Sequence, residues 1–78
     1  MRQIDTTTSA PQTKASTREV GVMASVLEGR HGVLAVEIAE FLGTVHEQGG
    51  DLPRAGSWYE VALEIRRRES DRITGRRH

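Results

Sequence analysis

The stretch LAVEIAEFLGTVHEQ, Leu34 to Gln48, decides what kind of chain this is. Leu34, Ile38, Phe41, Leu42 and Val45 recur at the 3.6-residue period of an α-helix and make one broad apolar face, flanked by Ala35 and Ala39. Glu37, Glu40, Thr44 and Glu47 fall opposite and read as a solvated acidic back. Gly49-Gly50 ends the helix, glycine being favoured just past a C-terminus. Gly43, inside it, costs up to ~1 kcal/mol relative to alanine. A close helix contact or simple tolerance would each account for it.

Upstream, Ser16-Thr17-Arg18-Glu19 fits a capping box, in which the Ser and Glu side chains answer each other's orphan amides. Val20, Met23, Ala24 and Leu27 follow on one stripe, and Gly29 and Gly32 bracket the stop, so a first helix is expected over about 17–30. Downstream, a third helix has two candidate starts. Asp51 can cap with Pro53 in the first turn, or Ser57 can cap with Glu60; the earlier start is favoured. Its buried stripe is Trp58, Val61, Ala62 and Ile65. No period-2 segment long enough for a strand occurs.

The expected fold is therefore all-α: a small three-helix domain over residues 16–73, with a disordered N-terminal tail over 1–15 and a frayed basic C-terminal end over 74–78. Residues 2–15 carry a threonine run, Pro11 and one large apolar residue, Ile4, too little to offset the entropy of ordering. The expected core is Val20, Met23, Leu27, Leu34, Ile38, Phe41, Leu42, Val45, Trp58, Val61 and Ile65. A chain of 78 residues buries only about 60% of its unfolded surface, so that core is thin.

Composition narrows the function. The absence of cysteine excludes a disulfide framework and thiolate metal sites, and it favours a cytoplasmic address. No apolar run approaches the ~20 residues of a membrane span, and the first sixteen residues have no secretory core segment. Net charge is zero but segregated: residues 1–18 carry three bases and one acid, 19–64 eight acids and two bases, and 65–78 six arginines and two acids.

Catalysis finds no support. His31 sits in a glycine-flanked turn, His78 is terminal, and His46 has no second histidine four residues away, so the zinc-protease pattern is missing. His46 reads as a partly buried helix residue. The pairs Glu37/Glu40 and Glu60/Glu64 lie on faces opposite the core stripes, where nothing desolvates them for acid–base work. The glycines build neither a dinucleotide fingerprint nor a Walker loop, and Ser57 lacks a base and an orienting acid. A domain this thin is expected to offer little room for a ligand pocket of ~300 Å³ or more. No enzyme activity, metal or cofactor is expected.

Contact with another macromolecule remains. Val22 and Val26 lie ~120° from the main stripe of the first helix, and Tyr59 with Leu63 widens the third. These four are the expected partner surface of a non-catalytic interaction or adaptor module, with self-association among its modes. Val33 and Val36, on the outer side of the second helix, read as ordinary surface valines. The alternative is an accessory nucleic-acid binder gripping phosphate through Arg66, Arg67, Arg68, Arg72, Arg76 and Arg77. Against it, the connection Gln48–Pro53 exceeds a helix-turn-helix turn, and Glu60 and Glu64 sit on the would-be recognition helix.

From Glu19 to Ile65 the chain resembles a group of small helical proteins of alphaproteobacteria with no assigned activity. The marks are His31-Gly32, the alanine-containing helix from Ala35 to Ala39, Gly50-Asp51, and Trp58 with Val61 and Ile65 behind it. Gly56 and the longer basic tail depart from that pattern. The resemblance implies a helical fold and a bacterial origin, and no function.

Overall fold

The computed structural model describes residues 14–75. Among them are three α-helices and no strand: α1, Thr17–His31; a 3-10 turn, Gly32–Leu34; α2, Ala35–Gln48; and α3, Leu52–Gly75. The boundaries follow the local signals. Ser16 Oγ accepts from the Glu19 amide at 3.1 Å while Glu19 Oε1 accepts from the Ser16 amide at 2.8 Å, a complete capping box. Gly32 ends α1 with φ 57° and Gly50 follows α2 with φ 86°, backbone conformations that L side chains rarely adopt. Asp51 Oδ1 accepts from the Arg54 amide at 3.1 Å, so the earlier start of α3 is the one used, and Ser57 lies inside the helix.

At 1.5 Å per residue α3 is ~36 Å long and α1 and α2 each just over 20 Å, and both shorter helices pack against α3. α2 contacts α3 along most of its length, whereas α1 and α2 touch each other sparingly. The buried apolar set is Val20, Ala24 and Leu27 from α1; Ala35, Val36 and Ala39 from α2; and Ala55, Val61, Ala62 and Ile65 from α3. Half of these are alanines. Met23, Ile38 and Trp58 pack against this cluster while half-buried.

The expected core is corrected on α2. Leu34, Phe41 and Val45 are exposed, Leu42 is half-buried, and the buried face is Ala35, Val36, Ala39 and Gly43. The helix is turned by roughly 130° from the expected orientation, at ~100° per residue. Val36 is correspondingly core, not surface. The reason is a second apolar arc on the same helix: Ala35, Ala39 and Gly43, four residues apart, are small enough for α3 to approach closely. Interaxial distance depends on the side chains at the contact, and a close approach gains dispersion contacts. At Gly43 the space beside the helix is taken by the Tyr59 ring. A Cβ there would lie 2.5 Å from Tyr59 Cε1 and 2.7 Å from Cδ1, so only glycine admits the ring.

The expected acidic back of α2 also turns inward. Glu40 pairs with Arg66, and Glu47 accepts from the Tyr59 hydroxyl at 2.8 Å. At the N-terminal side, Lys14 and Ala15, assigned above to the tail, are tied to α3. The Ala15 amide donates to Ser57 Oγ at 2.7 Å, and Lys14 pairs with Glu60. Residues 1–13 lie outside the described residues. At the other end α3 continues through Thr74 to Gly75, past the expected limit of 73. None of the described helices is long and apolar enough to cross a membrane.

Candidate protein-contact face

The rotation of α2 leaves its larger hydrophobic residues outside. Phe41 is 65% exposed, Leu34 53% and Val45 44%, with Ile38 and Leu42 half-buried beside them. Leu34, Ile38, Phe41 and Val45 are spaced four, three and four residues apart, the rhythm of a coiled-coil seam. A soluble monomer rarely exposes a contiguous apolar patch of more than a few hundred Å², and patches of that size mark contact sites. Val33, in the turn before the seam, is exposed as well. Leu34, Phe41 and Val45, which sequence reasoning assigned to the core, thus form an exposed apolar row on α2. A signal for this existed in the four-residue spacing of Ala35, Ala39 and Gly43, which competes with the larger stripe for α3.

The four residues expected to form a partner surface are not gathered into one patch. Val22 and Val26 are exposed on the outer side of α1. Leu63 is exposed and borders a shallow cleft with Thr17, Val20 and Arg67. Tyr59 is half-buried: its ring covers Gly43, and its hydroxyl lies 3.3 Å from Thr44 Oγ1 in addition to its bond to Glu47.

The arginines are engaged within the chain. Arg66 pairs with Glu40, and Arg67 reaches Glu64 and Asp71, both at 2.7 Å. Arg68 donates to Glu64 at 2.8 Å and crosses to α1, where it meets Glu28 at 3.1 Å, Ser25 Oγ at 3.1 Å and the Gly21 carbonyl at 3.2 Å. Arg72 lies 3.7 Å from Glu28. Arg76 and Arg77 are outside the described residues. The hydrogen bonds from Arg67 and then Arg68 hold the Glu64 carboxyl below the usual carboxylate range, and the same contacts with Glu64 raise both guanidinium groups. Glu60 and Glu64, read above as a solvated acidic face, are therefore the anchors of Lys14, Arg67 and Arg68.

The expectation of little pocket room is also corrected. A groove of about 960 Å³, broadly open to solvent, runs between the start of α1, the end of α2 and the first turns of α3. Met23, Val22 and Trp58 line it together with Arg18, His46 and Arg54. Ser57, buried at its floor, accepts from Ala15 and donates to the Pro53 carbonyl at 3.1 Å. Both of its hydrogen-bonding roles are taken by backbone groups that hold the chain ahead of α1 against α3. Among the described residues no three of His, Asp and Glu converge in a way that could hold a metal ion.

Comparison with known proteins finds no matching family model, curated protein or solved structure.

Proposed function

We propose that this chain works as a small non-catalytic interaction or adaptor module whose contact surface is centred on α2. The observation that carries this is the inversion of α2: alanines and glycine face α3 while Leu34, Phe41 and Val45 face solvent. With the three side chains 44–65% exposed, the chain forgoes about half of a burial worth about 1.5–3 kcal/mol for each fully buried residue, and a partner recovers it. Val22 and Val26 on α1 and Leu63 on α3 are exposed elsewhere, as separate apolar contact points for a partner. A cytoplasmic setting belongs to the same proposal and rests on the cysteine-free composition.

The alternative, phosphate gripping by the arginine-rich end, has less behind it. Arg66, Arg67, Arg68 and Arg72 each face an acidic partner in the chain, which offsets the field a nucleic acid would feel.

A tagged pull-down from native lysate, with and without nuclease, separates the two. The expected outcome is a protein recovered in stoichiometric amount, indifferent to nuclease and lost with Phe41→Ser while helical circular dichroism is kept. Recovery that collapses after nuclease and ignores Phe41→Ser would transfer the function to the arginine-rich end.

A further inference from the structure

We propose that the occupant of the α2 face is a second copy of this chain, docked so that the two α2 helices run antiparallel. This rests on the α2 contact face described above and names its partner. The seam is self-complementary. In an antiparallel pair centred between Ile38 and Phe41, Leu34 meets Val45 of the other copy and Ile38 meets Phe41, so each layer joins two unlike apolar side chains. Layers that mix shapes interdigitate better than layers of identical ones.

Charge supports the same orientation. Glu37 is the one ionisable residue on the solvent-side edge of the seam, since Glu40 and Glu47 turn to α3. Antiparallel docking pairs opposite ends of the two helix dipoles and keeps the two Glu37 side chains off each other, whereas parallel docking stacks like on like. The chain's zero net charge puts no long-range repulsion between copies.

The area fits as well. A standard interface takes about 800 Å² per partner, of which about 65% is apolar in homodimers, or roughly 500 Å². Phe41, Leu34, Val45 and the 87% exposed Val33, with the open parts of Ile38 and Leu42, supply an apolar area of that order.

The chain has no cysteine, so introduced thiols report the pairing without interference. Leu34→Cys and Val45→Cys chains are prepared separately, then oxidised alone and as a mixture, beside sedimentation of the unaltered chain. In the antiparallel pair two copies of position 34 lie ~16 Å apart, from eleven residues at 1.5 Å each. That exceeds the ~4.4–6.8 Å Cα separation a disulfide spans. The expected result is a disulfide dimer from the mixture only, and a sedimenting mass twice that of one 8.6 kDa chain. Phe41→Ser is expected to weaken self-association at least about tenfold. Leu34→Cys cross-linking to itself would overturn the antiparallel arrangement. A chain that sediments as a monomer, with no cross-link from any mixture, would overturn self-pairing altogether. If Phe41→Ser still abolished the pull-down in that case, the α2 contact function would stand with a different protein as its occupant.

Discussion

Gly43 and the Tyr59 ring meet where α2 packs on α3. The Tyr59 ring occupies the space a side chain at 43 would need, and its hydroxyl's bond to Glu47 keeps it from swinging aside freely. Gly43→Ala therefore gains helix propensity and loses more in packing. The expected net destabilisation is about 1–2 kcal/mol, read as a lower urea midpoint at unchanged slope. Gly29→Ala is the control, because no atom lies within 4 Å of the Cβ it would add. It should raise the midpoint, by up to ~1 kcal/mol of stability. Equal effects at both positions would mean that the ring is not a constraint. The sequence left Gly43 open between close contact and tolerance, since a glycine in a helix carries no mark of the ring that will cover it from sixteen residues away.

The three helices were legible because four of their six ends carry a local chemical signal: the Ser16–Glu19 box, Gly32, the Gly49-Gly50 pair, and Asp51 with Pro53. The facing of α2 was not. Two apolar arcs share that helix, and hydropathy weights Leu34, Phe41 and Val45 above Ala35, Ala39 and Gly43, while close helix packing rewards the smaller set. The charged pairs were hidden for a related reason. Glu64 and Arg68 stand four residues apart on one helix, a spacing at which side chains meet, but the crossing of Arg68 to Gly21, Ser25 and Glu28 is a product of tertiary packing. That cluster gives a pH prediction at the level of the α1–α3 contact. The folded-state pKa of Glu64 lies below its ordinary value of 4.5, so its contribution is present above that value and is lost as pH falls through the folded pKa. Stability should decline on acidification below about pH 4.5, and Glu64→Gln should flatten part of that decline. Identical acid titrations of the two proteins would remove Glu64 from the account.

At the scale of the whole molecule, the described residues bury five alanines and five larger aliphatic residues and leave Phe41, Leu34 and Val45 outside. Small domains with so little core commonly gain stability by oligomerising. Binding that is specific to the folded state also makes apparent stability depend on protein concentration. The architecture of helices along a long α3 was readable from period and punctuation. Which arc of α2 stays exposed was not, because an apolar stripe looks the same in sequence whether its own chain covers it or leaves it open. Sedimentation equilibrium of the unaltered chain and of Phe41→Ser over a hundredfold range of concentration is the most direct test. A dimer mass for the unaltered chain, shifting to monomer for Phe41→Ser with helicity preserved, is the predicted result. A monomer at every concentration for both, with equal stability, would contradict the assignment of α2 as a face that pairs two copies of this chain.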